Sequence, residues 1–358
     1  MKFLLGLSLI TFLFNSVLAG KPADSVKTSA VNYDSLATQS NRYLTLASGS
    51  KKNIEAIELY RKAIISAPLA DDLWEAEVRT KMGLLLSELK KPEAFKQLER
   101  AIALNQKHKN LNGLTAATYA LAMAYYRSGD VATSLKKYND LYTVQTKAGE
   151  AVLAGNTASK IADVYLKSKK YKEAFNYADV AKKEYEKVCK RDSLGAIYYK
   201  IADIKLRENK TRLAEFYIIY KALPFYSSAD NFKGRVACFN FLANMYMNQK
   251  KYSQAKWFYL QANTQSRSIK DTAATIASLH RLGVLKAITG SYQLARRDLR
   301  EAESMAKDTG MSGLTAKFRA RYPSILKKIN EGDGSAVKSP LLKGVSKEKY
   351  ESSLVSLE

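Results

Sequence analysis

Apolar and small residues recur along this chain at helical spacing, and the stripes they make repeat. Between residues 242 and 262, Leu242, Ala243 and Tyr246 form one stripe. Ala255, Tyr259 and Ala262, at i, i+4 and i+7, form a second. A polar turn, NQKK, separates them. The same arrangement is found upstream and downstream: KKYKEA ends at Ala174, NKTRLA at Ala214, KKYSQA at Ala255 and GSYQLA at Ala295. The intervals are close to 40 residues, and counting back by that step reaches Ser134, Ala94 and Ala56. The pattern predicts seven units of two helices each, with second helices opening at Tyr171, Tyr252 and Tyr292 after turns such as RSGD, KSKK, RENK and ITGS. Small residues at Ala122, Ala162, Ala202, Ala243 and Gly283 hold one place in the first helices, where two backbones must come close.

LANMY at 242–246, followed by Ala255, Tyr259 and Ala262, resembles the tetratricopeptide repeat, and IADVY at 161–165, followed by Ala174, Ala178 and Ala181, matches most of that signature. The resemblance covers residues 33–310 and is strongest from 112 onward. The period is longer than the family's minimal 34 residues, the consensus tryptophan is missing, and Pro68 is the one match to the closing proline. The long form is similar to the tetratricopeptide arrays of exported bacterial proteins and sensor kinases. The resemblance implies an all-α fold, a right-handed superhelical solenoid of antiparallel helix pairs. One pair cannot bury its apolar face alone, so the ends need caps. Residues 311–330, interrupted by Pro323, are expected to be the C-terminal cap, and residues 331–358, mixing glycine, serine, proline and charge, a flexible tail.

The first helices of such a solenoid line its concave face. In the register above one inner position reads Tyr119, Ser159, Tyr199, Asn240 and His280, and the position one turn later reads Met123, Asp163, Asp203, Asn244 and Val284. Such a ladder can hydrogen-bond an extended peptide, and Asp163 and Asp203 would favour a basic residue in it. Tyrosines at helical spacing also make core stripes, so this reading stands beside a structural one of equal weight. Lys160 and Lys200, three residues before the aspartates, fit i, i+3 helix pairs. The lysine, asparagine and arginine clamp of chaperone-binding tetratricopeptide domains is not reproduced.

Composition adds charge. The 358 residues carry a formal net charge of +24, with 46% hydrophobic residues and six prolines, as expected for a folded, helix-rich chain. Arg296, Arg297, Arg300, Arg319 and Arg321 concentrate cations near the C-terminal end, a basic face suited to polyanions such as anionic envelope components. Nucleic acid is a secondary expectation, because the N-terminus reads as an export signal: Lys2, an apolar run from Phe3 to Phe14, and small residues at Val17 and Ala19. Cleavage after Ala19 would leave a short leader at 20–32 and a periplasmic or extracellular protein with no spanning segment. In that compartment Cys189 and Cys238, in different units, are expected as two separate buried thiols. His108 and His280 lack metal-ligand spacing, and neither a phosphate loop nor a nucleophile elbow occurs. The sequence therefore predicts a non-enzymatic scaffold, without cofactor or metal, that binds a protein or peptide. Its alternatives are a polyanion or envelope-surface binder and the sensory module of a signalling system.

Overall fold

The computed structural model describes residues 50–66 and 72–331, and these form fifteen helices with no strand among them. The proposed signal peptide, the leader, the first half of the first unit, Pro68 and the tail from 332 lie outside the described residues. In chain order the helices are α1 (Ser50–Ser66), α2 (Asp72–Glu88), α3 (Glu93–Lys107), α4 (Leu111–Ser128) and α5 (Val131–Lys147). Next come α6 (Ala151–Lys167), α7 (Tyr171–Lys187), α8 (Arg191–Arg207) and α9 (Thr211–Phe216, Tyr217–Ala222 and Leu223–Ser228 in one continuous rod). The last are α10 (Phe232–Asn248), α11 (Tyr252–Ser268), α12 (Thr272–Ile288), α13 (Tyr292–Asp308), α14 (Ser312–Arg321) and α15 (Pro323–Glu331). Even-numbered α2 to α12 are first helices, and odd-numbered α1 to α13 are second helices.

The buried stripe of the second helices is nearly invariant. It runs Ala94, Leu98, Ala101, Asn105 in α3, Ser134, Tyr138, Leu141, Gln145 in α5 and Ala174, Ala178, Ala181, Tyr185 in α7. In α11 it is Ala255, Tyr259, Ala262, Ser266, and in α13 it is Ala295, Leu299, Ala302, Ala306. The small residues at the head of each stripe face small residues of the partner helix: Ala162 shares a core with Ala174, and Ala202 and Ala243 share theirs with Ala214 and Ala255. A Cβ added at Gly283 would lie 2.8 Å from Leu299 and 3.4 Å from the Ala295 carbonyl.

In α9 the stripe reads Ala214, Ile218, Ala222, Tyr226, one residue longer than its neighbours. The extra residue is absorbed by a π-helical turn at Tyr217–Ala222, just before Pro224, whose missing N–H would disrupt a regular helix there. The bulge carries Tyr226 to the place that Tyr185 holds in α7. Its ring lies between Gly195 and Gly234, where an added Cβ would come within 2.8 Å and 2.4 Å of it, so neither glycine tolerates a side chain.

The turns share one geometry. A residue with positive φ ends each helix from α2 to α13: Lys90, Lys109, Gly129, Gly149, Lys169, Cys189, Asn209, Asp230, Lys250, Lys270, Gly290 and Gly310, close to every twentieth position. At Lys169 the amide bonds the Leu166 carbonyl (3.1 Å) and the next amide bonds the Tyr165 carbonyl (2.9 Å). That is the Schellman pattern. The following residue is already the N-cap of the next helix, and Asn110, Asp130, Asn231 and Asp271 fill that role with side-chain oxygens. Cys189 is one of these turn residues and is exposed, correcting the expectation of two buried thiols. Cys238 is buried, and burial pushes its thiol up to about 12.

The expected single capping helix is two helices. Tyr322, held out of helical geometry (φ −129°, ψ 48°) by the proline that follows, separates α14 from α15. Five lysines occupy left-handed turn positions where glycine carries no Cβ penalty. Lys169→Gly and Lys250→Gly are therefore expected to stabilise the chain by about 1 kcal/mol each, read as a raised urea midpoint at unchanged m-value.

Candidate partner-binding groove

The inner positions expected to form a ligand ladder are placed on the first helices, but most are engaged with the next unit. The Tyr119 hydroxyl lies 2.8 Å from Thr157 Oγ1 and its ring 5.7 Å from that of Tyr138. Thr157 donates to Gln145, whose amide donates to Thr115, so Tyr119 ends a buried network joining α4, α5 and α6. Ser159 receives the Lys200 ammonium on its hydroxyl (2.6 Å) and its carbonyl (2.7 Å). Tyr199 meets Phe241 edge-on at 5.4 Å, and burial pushes its phenol up to about 12. Asn240 Oδ1 accepts from Arg281 at 2.8 Å. His280 is buried beneath Phe318 of α14, with the rings stacked at 4.1 Å, which corrects its expected place in an open groove. The C-terminal cap covers it.

The next position behaves similarly. Lys200 ion-pairs with Asp163 of the preceding unit at 2.7 Å, and Asp203 pairs with Arg207 one turn on at 3.0 Å. The expected i, i+3 pairing of Lys200 with Asp203 is replaced by a contact across units. Burial pushes the Lys200 ammonium below its ordinary pKa against the pull of Asp163. Both aspartates are thus partly neutralised from within the chain, which weakens the case for a basic ligand residue. Met123 is partly buried, Val284 is buried, and Asn244 is exposed and accepts from the Tyr259 hydroxyl at 2.6 Å.

A cleft of about 290 Å³ does open on the first-helix face, between α10 and α12. Its floor is small (Val236, Ala237, Ala274, Ala277) and its polar wall holds Lys233, Asn240, Asp271 and Arg281. Asp271 is occupied as the N-cap of α12, accepting the Ala274 amide at 3.0 Å, and Lys233 stands 3.9 Å from its other oxygen. The donors left facing the cleft are cationic. The sequence reading placed Asn240 here but missed Lys233 and Arg281. The signal available was that Arg281 follows Asn240 by one repeat plus one residue, as Lys200 follows Ser159.

The five arginines of the expected basic face divide. Arg296 donates to the Ile329 carbonyl at 2.6 Å and holds α15 against α13, while Arg319 pairs with Glu303 at 2.7 Å. Arg321 lies 5.5 Å from the Tyr322 ring centre, and Arg297 and Arg300 are exposed on α13. Among the described residues no group of three or more His, Cys, Asp or Glu is placed to hold a metal, and no helix is long and apolar enough to cross a membrane. His108 instead bonds Asp72 (2.8 Å), and hydrogen bonds from Lys107 and His108 hold that carboxyl down at about 2.

No protein-family model and no curated protein sequence matches the chain. Solved structures do resemble it. It is similar to RapI in its apo form, at 14% identity over 84% of this chain and 99% of that one, with a TM-score of 0.51. It is also similar to aspartyl phosphate phosphatase F from Bacillus subtilis, at 11% identity over 91% and 100% of the two chains, with a TM-score of 0.53. A third is a signal transduction ATPase with numerous domains from Pyrococcus horikoshii that carries a tetratricopeptide repeat sensor. There the identity is 16%, over 80% of this chain and 44% of that one, with a TM-score of 0.54. The chain has the tetratricopeptide-like solenoid fold.

Within this solenoid the cap is tied to His280. Burial lowers its pKa from 6.5 to about 4, outweighing Glu303. The unfolded chain therefore binds the extra proton between those values, and the stability supplied by neutral His280 is full above pH 6.5 and lost as the pH falls toward 4. His280→Phe is expected to remove about 2 kcal/mol of that pH dependence, measured by urea titrations of both proteins from pH 7 to 4.

Proposed function

We propose that this solenoid is a non-enzymatic scaffold that binds an extended segment of a partner protein along its first-helix face. The observation that carries the reading is the α10–α12 cleft: an alanine-rich floor beside Lys233 and Arg281 suits a small apolar side chain next to a carboxylate. The groove groups first read as ligands (Tyr119, Met123, Asp163, Tyr199, Asp203, Asn240, Asn244 and His280) set the spacing of the first helices, and the segment runs over them. Binding rather than catalysis is supported by the engagement of the inner carboxylates with cations and of His280 with Phe318.

The solved structures it resembles support a place in regulation, since one carries a repeat sensor and another is named as a phosphatase of aspartyl phosphate. In a sensory role the same cleft would receive the signal. We also propose export through the N-terminal segment, on the strength of Lys2, the Phe3–Phe14 run and Ala19. N-terminal sequencing of the protein made in its own cells is expected to begin at Gly20, and a chain still starting at Met1 would remove that part.

The groove reading is tested by selecting a random displayed-peptide library on the folded protein. The expected outcome is enrichment of peptides carrying an acidic residue or a free C-terminal carboxylate, lost by roughly a hundredfold in Lys233→Glu/Arg281→Glu. Enrichment that ignores those two changes would remove the cleft as the site.

A further inference from the structure

The second-helix face of α9, α11 and α13 presents a surface that neither the groove nor the packing of the units uses. Leu213, Phe216, Tyr220, Trp257, Leu260 and Leu294 are each between 42% and 47% exposed. They fall on matching places of three adjacent helices. Phe216, Trp257 and Arg297 occupy one row. Tyr220, Leu260 and Arg300 occupy the next, aligned by the π-turn that absorbs the extra residue of α9. In α5 and α7 the Phe216 place holds Lys136 and Asn176, so the strip belongs to this part of the array and is not a by-product of the repeat.

The surroundings are cationic. Lys221 sits 5.9 Å from the Phe216 ring centre, Arg212 and Lys251 are exposed, and α11 contains no acidic residue. The acids that could offset them are occupied: Glu215 by the Tyr246 hydroxyl, Asp298 by Lys286, Glu301 by Arg267 and Glu303 by Arg319. Neither of the two cavities described by the structure, the α10–α12 cleft and a smaller one at Ala287, Tyr292 and Ile325, lies on this face. A partner helix needs a groove to lie in, whereas aromatic and leucine side chains spread over adjacent helices among arginines and lysines match a bilayer interface, where rings settle at headgroup depth and cations meet anionic lipid.

We propose that this face docks the protein on an anionic lipid surface, with Phe216, Trp257 and Leu260 entering the interface and Arg297 and Arg300 binding headgroup phosphates. The proposal is independent of the groove reading, which concerns the opposite helices of each pair.

Trp257 supplies its own probe. The chain has two tryptophans, so the full-length protein carrying Trp74→Phe reports from Trp257 alone. With vesicles of phosphatidylcholine containing roughly one-third phosphatidylglycerol, its emission is expected to shift to the blue and to be quenched by brominated acyl chains, and neither change occurs with pure phosphatidylcholine. Arg297→Gln/Arg300→Gln is expected to weaken this binding about tenfold or more, and added salt to do the same. Phe216→Ser/Leu260→Ser removes the shift while the circular dichroism spectrum keeps its helical form. The readout is local, so any contact made by the apolar N-terminal run does not count as support. The proposal is overturned if Trp257 stays water-exposed on anionic vesicles, if neutral vesicles shift it equally, or if the shift follows protein concentration without vesicles, which would assign the strip to a second copy of this chain.

Discussion

Everything in this molecule depends on how closely two helix backbones approach at their small residues. Ala162 against Ala174, Ala202 against Ala214 and Ala243 against Ala255 share continuous cores in which each is fully buried, and Gly283 takes that role in the last unit. Such contact lets larger side chains a turn away, such as Tyr138, Tyr259 and Leu299, bury their apolar surface between helices. An extra side chain at the contact would separate the pair and expose those groups together, so the cost of overpacking here exceeds that of the added methylenes alone. Ser134 shows the same logic from the polar side. Its hydroxyl holds the alanine place, fully buried and without a hydrogen-bond partner among the described residues, and it is accepted because it is small.

The second constraint is the turn. Most helices have 17 residues and the turns between them three, so each element restarts after about 20 positions whether it is a first or a second helix. A fixed turn carries the phase of one helix into the next, and an inserted residue anywhere would rotate all that follows out of register. The π-turn in α9 contains such an insertion within one helix. Upstream, Ala214 keeps its place, and downstream Tyr226 still reaches Gly195 and Gly234.

This division explains what could be read from the chain. The forty-residue beat, the small-residue columns and the break at Pro323 are local patterns, and each has one physical cause that a sequence displays. The step of 41 between Ala214 and Ala255 was visible too, but spacing alone does not say whether a turn or a helix takes up the additional residue. The left-handed turns at Lys90, Lys109, Lys169, Lys250 and Lys270 were hidden because lysine carries no preference for that conformation; the tertiary stack imposes it. The groove was the least legible part. Lys200 lies three residues before Asp203, a spacing that suggests a local pair, yet it binds Asp163 because successive first helices lie side by side and the longer reach desolvates the ammonium less alone than in company. His280 was expected to face a ligand because the register continues beyond it, whereas the array ends there and Phe318 closes over the ring.

The charge of the molecule follows from the same pairing. Along the first helices, Asp163 and Asp203 are engaged by Lys200 and Arg207. Along the second helices, Asp298, Glu301 and Glu303 are engaged by Lys286, Arg267 and Arg319. With a net charge of +24 there are more cations than acids to receive them, and the surplus gathers where acids are scarce, at the α10–α12 cleft and on the outer side of α11 and α13. Each surplus site then has a different neighbour to work with. Arg281 and Lys233 stand over an alanine floor inside a concavity, which selects a shaped ligand. Arg297 and Arg300 stand beside Trp257 and Leu260 on an open face, where a shaped ligand has nothing to fit and a broad interface has much to bury. One repeat thus yields two unlike surfaces, because the side of the helix pair decides whether its unpaired cations meet a cavity or a plane.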